Sequence, residues 1–191
     1  PGYVEAYDIY DLDLVWTYDT ECSNSGTYNV NQFAGCTDKN YCEMISCTPA
    51  ADSSGVLYIG DGCGRFHAIN PDGTRKWVNS VASDRFGYSG AAITGSGAVI
   101  SGNFDGTLYE FDASTGAALW TLSNPSGSSF EATPLVAGDG AIYIGDRSGV
   151  LFALNADSTE KWHFATGSNI FTPATMNSDG TIYIADSSGV V

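Results

Sequence analysis

Short apolar runs alternate with turn dipeptides along most of the chain. No stretch repeats its apolar positions at the 3.6-residue period of a helix. The segment from Thr133 to Phe164 shows the pattern. Thr133-Pro-Leu-Val136 predicts a strand and Gly138-Asp-Gly140 a tight turn. Ala141-Ile-Tyr-Ile144 predicts a second strand, followed by a turn over Asp146-Arg-Ser-Gly149. Val150-Leu-Phe-Ala-Leu154 predicts a third strand, and after the turn Asn155-Ala-Asp157 the run Glu160-Lys-Trp-His-Phe164 predicts a fourth. Four short antiparallel strands thus fit in about 40 residues, with glycines supplying the positive φ that hairpin turns require.

The unit recurs. Tyr58-Ile-Gly-Asp-Gly-Cys-Gly64 aligns with Tyr143-Ile-Gly-Asp-Arg-Ser-Gly149 and Tyr183-Ile-Ala-Asp-Ser-Ser-Gly189, and more loosely with Val99-Ile-Ser-Gly-Asn-Phe-Asp-Gly106. The shared Gly64, Gly106, Gly149 and Gly189 are 42, 43 and 40 residues apart. Trp77, Trp120 and Trp162 follow at steps of 43 and 42. Trp16 belongs to the same series, 61 residues before Trp77, and the excess is the length of an insertion between them. Four-stranded units at this period predict an all-β fold, a β-propeller of four-stranded antiparallel blades with about four blades in the chain.

The segment Asn103-Phe-Asp-Gly-Thr-Leu-Tyr-Glu-Phe-Asp-Ala-Ser-Thr-Gly-Ala-Ala-Leu-Trp120 resembles the repeat of pyrroloquinoline-quinone (PQQ) dehydrogenases and of BamB-type outer-membrane assembly lipoproteins. Gly64-Arg-Phe-His-Ala-Ile-Asn70 and Gly149-Val-Leu-Phe-Ala-Leu-Asn155 repeat that pattern. The resemblance covers nearly the whole chain outside the insertion. It implies the fold strongly and the function weakly. It also implies that Trp16, Trp77, Trp120 and Trp162 are structural residues that dock one blade on the next.

Residues 1–191 are read as a single PQQ-like propeller region, with 48–79, 90–121 and 132–164 as full blades. Residues 172–191 and 3–18 read as complementary parts of one further blade, because the chain begins and ends at the same point of the repeat. The expectation is a closed small ring, a ring completed by another copy, or part of a seven- or eight-bladed ring, with the partial ring preferred. A first residue of Pro rather than Met, with no visible leader, leads to the expectation of a processed or longer protein.

Residues 21–47 form a cysteine-rich insertion. Cys22, Cys36, Cys42 and Cys47 lie in a polar stretch without apolar periodicity, and Cys63 lies outside it. With no C-x-x-C pair among them, disulfides are preferred over zinc, with connectivity open. Disulfides imply an extracytoplasmic location: secreted, periplasmic or in an organelle lumen. Tyr28, Phe33 and Tyr41 in the same insertion are candidate partner contacts.

Charge narrows the partners. With 22 acidic and 7 basic residues, the formal net charge of -15 argues against nucleic acid and anionic lipid. No apolar run reaches the length of a membrane helix. Expected partners are other proteins, or further copies or blades of the same protein. The chain lacks an adjacent Cys-Cys pair, a G-x-S-x-G elbow, a P-loop and a full D-x-D-x-D-G calcium loop. Asp105-Gly, Asp139-Gly and Asp179-Gly read as hairpin turns, and His67 and His163 as structural residues. No catalytic residue, metal site or cofactor is therefore predicted, and the reading leans away from an enzyme. The expected function is a non-catalytic extracytoplasmic β-propeller serving as a protein-binding or assembly scaffold. Two alternatives stand beside it. One is a subunit or fragment of a PQQ-dependent dehydrogenase, with PQQ and calcium. The other is a carbohydrate-binding or surface-layer module.

Overall fold

A computed structural model of the chain describes residues 2–20, 45–80, 82 and 84–189. The described residues form antiparallel sheets and no helix, so none of them builds a helix long and apolar enough to cross a membrane. The residues from 21 to 44, with Cys22, Cys36, Cys42 and the candidate contacts Tyr28, Phe33 and Tyr41, lie outside the described set.

The first sheet pairs β1 (Tyr3–Tyr7) with β2 (Leu14–Asp19). Three four-stranded sheets follow, each strand pairing with the next in sequence. They comprise β3 (Ala50–Ala51), β4 (Leu57–Gly60), β5 (Phe66–Ile69) and β6 (Arg75–Asn79); then β7 (Ala92–Ile93), β8 (Val99–Gly102), β9 (Thr107–Phe111) and β10 (Ala118–Ser123); then β11 (Leu135–Val136), β12 (Ile142–Gly145), β13 (Val150–Leu154) and β14 (Glu160–Ala165). A final two-stranded sheet pairs β15 (Thr175–Met176) with β16 (Ile182–Tyr183). Burial follows position within each sheet. The middle strands β4, β5, β8, β9, β12 and β13 are almost wholly buried, whereas all residues of β14 are exposed.

The core lies between sheets rather than inside any one of them. Tyr58, Phe66, Trp77, Phe86, Tyr109 and Phe111 fill the space between the sheets β3–β6 and β7–β10. Their rings stack, with Phe66 and Phe111 centroids 4.8 Å apart and nearly parallel. Between β7–β10 and β11–β14 the filling is mostly aliphatic, from Ile100, Leu108, Ile142, Ile144 and Leu154. Each such side chain, fully buried, stabilises the stack by about 1.5–3 kcal/mol.

The repeated glycine has a physical cause. Gly64, Gly106 and Gly149 adopt positive φ in the turn between the second and third strands. A Cβ there would lie 2.7 Å from the Asp84 carbonyl oxygen, 2.6 Å from that of Ser128 and 2.5 Å from that of Ser168. The loop leading to the next sheet passes directly over each glycine, so no side chain fits. The Asp-Gly pairs act as hairpin turns: the side chains of Asp105, Asp139 and Asp179 accept from the backbone N–H of Thr107, Ala141 and Thr181.

Candidate functional site

The features with chemical content lie where sheets meet. Each outermost strand carries one extra residue just before its tryptophan, a β-bulge repeated four times among the described residues. Past the bulge, Trp16 pairs with Ala6, Trp77 with Ala68, Trp120 with Glu110 and Trp162 with Ala153. Bulges re-aim side chains, and here two of the indoles cross onto the neighbouring sheet. Trp16 lies against Gly73, and its Nε1 donates to the Pro71 carbonyl at 2.9 Å. Trp77 lies against Gly116, and its Nε1 donates to the Ala113 carbonyl at 3.0 Å. Both glycines have positive φ, and a Cβ on either would sit under 3 Å from the ring.

The other two tryptophans differ. The turn that would receive Trp120 has Ser158 at the glycine position, still at φ 69°. The buried Nε1 of Trp120 has no hydrogen-bond partner. Trp162 is 41% exposed on β14 and packs against Tyr143.

A buried polar cluster joins β2 to the sheet β3–β6. Asp61 Oδ2 accepts from Arg65 Nε at 2.8 Å and lies 3.0 Å from His67 Nε2. Arg65 also donates to the Thr20 carbonyl at 2.6 Å. His67 Nδ1 is 3.1 Å from the Tyr18 hydroxyl, which accepts from Arg75 Nε. Because Arg75 only donates, a consistent chain runs Arg75 to Tyr18 to His67 Nδ1, with His67 Nε2–H donating to Asp61. Burial works against ionisation of Asp61, but the hydrogen bond from His67, with the charge and backbone N–H of Arg65, outweighs it and holds the carboxyl below its ordinary value. In the sheet β11–β14, Asp146 at the same repeat position accepts from Asn124 and Ser148 side chains instead. At Asp61 and Asp146 this position therefore ties one sheet to its neighbour, with different partners.

Cys47 is a thiol in this structure, its Sγ directed at the Gly60 carbonyl at 3.3 Å. Burial pushes its pKa up to about 11, so it is a weak nucleophile. Cys63 lies in the 61–64 turn, its backbone N–H bonded to Asp61. His163 is exposed and bonded to Glu160. Among the described residues no three His, Cys, Asp or Glu side chains converge as a metal site. The buried guanidinium of Arg65 is engaged by Asp61 and Thr20.

Antiparallel four-stranded sheets, stacked face to face and joined by a repeated tryptophan and turn glycine, define an arc of β-propeller blades of the PQQ-like type. Residues 64–191 match the family described as outer membrane protein assembly factor BamB, and the chain belongs to that family. It is 33% identical over 105 residues to outer membrane protein assembly factor BamB of Burkholderia pseudomallei, an alignment covering 53% of this chain and 27% of that protein. It is similar in structure to BamB from Moraxella catarrhalis, with a TM-score of 0.67 at 21% identity, covering 97% of this chain and 56% of that one. A chain of a mitotic checkpoint complex gives a TM-score of 0.75 at 14% identity, covering 97% and 51%. The computationally designed Ika4 protein gives 0.66 at 15%, covering 77% and 88%. At these identities the structural likenesses establish the fold alone. The chain spans about a quarter of the curated relative it matches.

Two residues escaped the reading of the sequence as site residues, Glu110 and Asp61. The signal for Glu110 was present: the aligned positions in the neighbouring blades hold Ala68 and Ala153. The signal for Asp61 was absent, because its cluster draws on Tyr18 from a different sheet.

Proposed function

We propose that the chain is part of a non-catalytic β-propeller that works outside the cytosol as a rigid docking platform for other proteins. Its membership of the BamB family and its likeness to an outer membrane protein assembly factor support this reading. One structural observation carries it. The buried side chains Asp61, Arg65, His67 and Trp77, with the half-buried Trp16, are engaged in fastening sheet to sheet. Such fastening gives a stiff body whose free loops present partner contacts.

The loops at one end of the stack suit that role. Arg85 lies over the Phe104 ring at 3.9 Å, with the exposed Tyr88 beside it. Phe171 is exposed on the corresponding loop before β15. Photo-crosslinking residues placed at Tyr88 and Phe171 of the whole protein, in cells, test the reading. The expected result is a discrete crosslinked envelope protein at both positions, and recovery of the protein from the cell envelope. Absence of crosslinks from a folded, exported protein would overturn it. So would calcium-dependent dye reduction that requires added PQQ and an alcohol or sugar.

A further inference from the structure

We propose that the cleft between the sheets β7–β10 and β11–β14 binds a primary ammonium group on an apolar stem, taken from a free alkylamine or from a lysine side chain. The cleft has a volume of about 410 Å³ and opens at the turns 94–97 and 137–140. Two departures from the repeat create it.

The first is Ser158. It occupies the turn position that Gly73 and Gly116 hold in the two preceding sheets, with the same left-handed backbone. A Cβ at Gly116 would meet the Trp77 ring at 2.6 Å, and one at Gly73 the Trp16 ring at 2.7 Å. Ser158 has that Cβ, so Trp120 is denied the equivalent position. Its Nε1 is left buried without a partner, where Trp16 and Trp77 donate to backbone carbonyls. Ala156, which carries the carbonyl equivalent to those acceptors, lines the cleft instead.

The second is Glu110, the cross-strand partner of Trp120. The tryptophans of the other three sheets pair with Ala6, Ala68 and Ala153. Glu110 thus sets a carboxyl group where the repeat has a methyl. It lines the cleft and is 7% exposed. Thr94, beside it, has its hydroxyl engaged by Ser96 and Ala98. Burial pushes the Glu110 pKa up, and the nearby Trp120 indole and Thr94 hydroxyl only partly oppose this. A buried carboxylate without a strong donor is stabilised by a cation brought into contact with it.

The remaining lining selects the kind of cation. Ile142 and Ala156 give an apolar wall for an alkyl stem. Asp139 on the rim, with the net charge of -15, disfavours anions. Calcium calls for six to eight oxygen ligands, which this pair of carboxylates does not approach.

The test is a titration of the full chain at neutral pH with n-butylammonium and with its neutral isostere n-butanol. The readout is the indole N–H resonance of Trp120 in proton–nitrogen NMR spectra. Butylammonium should shift Trp120 saturably and leave Trp16 and Trp77 unmoved, and butanol should bind at least about tenfold more weakly. Glu110→Gln keeps the shape and removes the charge, while Glu110→Ala restores the residue of the repeat. Each should weaken butylammonium binding about tenfold or more with the circular dichroism unchanged. Ser158→Gly should produce the same loss by letting the indole close the cleft. Equal binding of butanol, or butylammonium binding unchanged in the Glu110 variants, would overturn the proposal. Nα-acetyl-lysine N-methylamide separates the sources. If it binds as well as butylammonium, a lysine side chain of a protein is the ligand. If it is excluded while butylammonium binds, the ligand is a free amine. Failure of both overturns the site.

Discussion

Asp61 and Glu110 are both buried carboxyl groups, and their surroundings drive them in opposite directions. Asp61 is held below its ordinary value of 3.8 because His67 and Arg65 outweigh burial. A lowered pKa gives stabilisation that is complete above the unfolded value and lost as pH falls through the folded one. Glu110 is raised above 4.5 by burial. Its penalty is absent at acid pH, develops as pH rises past the unfolded value, and is complete above the folded one. Asp61→Asn should therefore destabilise the chain by about 3–5 kcal/mol at neutral pH, since it leaves Arg65 buried without a counter-charge. Urea denaturation checks this, and the loss should shrink at acid pH. Glu110→Ala should do the reverse, raising the urea midpoint at neutral pH with a gain that fades toward acid. A gain that is the same at all pH values would show that burial does not raise the pKa of Glu110. Neither role could be taken from a residue type alone. His67 and Asp61 are six positions apart, but the hydroxyl that completes their cluster comes from Tyr18.

Among the elements, the outer-strand bulge and the receiving turn work as a pair. The bulge fixes which residue leaves the sheet, and the turn glycine leaves room for it to arrive. Gly116→Ala places a methyl group against Trp77 at a φ of 75°. The backbone term alone costs about 1–2 kcal/mol, and displacement of the indole adds to it. The expected signs are a lower thermal midpoint and a shift of tryptophan emission to longer wavelength. Ser158→Gly at the matching turn should be neutral or stabilising by up to about 1 kcal/mol, because relief of left-handed strain exceeds the entropy of the added glycine. The all-β class and the four-stranded unit were legible because their signals are local: alternation, turn dipeptides and a fixed period. The tryptophan series was legible for the same reason. What the period concealed was the difference between its members. Trp16 and Trp77 meet a glycine, whereas the matching turn beyond Trp120 presents Ser158.

Across the molecule, stability comes from faces rather than from a central core, as in other repeat architectures. The interior of one sheet pair is aromatic and that of the next aliphatic, so each contact is a separate solution to the same geometry. The outward face of β14 shows Trp162 and Phe164, and the turn between β1 and β2 shows Ile9, Tyr10 and Leu12, all exposed. Apolar surface of this kind favours association. The 191-residue chain taken by itself should therefore self-associate with rising concentration in sedimentation velocity. Trp162→Glu combined with Phe164→Glu should hold it as a monomer, and association unchanged by that pair would assign the contact to another face. The cysteine-rich insertion was the segment whose role depended most on pairing between distant residues. Of its cysteines the described residues include Cys47, a thiol bonded to a backbone carbonyl.

The bulge also separates two properties that hairpins usually couple. Ile69 pairs with Arg75, whereas Phe111 pairs with Ala118, so the second turn is one residue longer. Tyr7 with Leu14 matches the longer turn, and Leu154 with Glu160 the shorter. In all four cases the tryptophan still lands opposite the same repeat position. A turn can thus change length without readdressing the side chain that holds the next blade, provided it keeps the residue that receives the tryptophan of the blade before: Gly73 in the shorter turn and Gly116 in the longer one both do so. Each of these two blades therefore tolerates variation in the length of this turn but not in its receiving glycine.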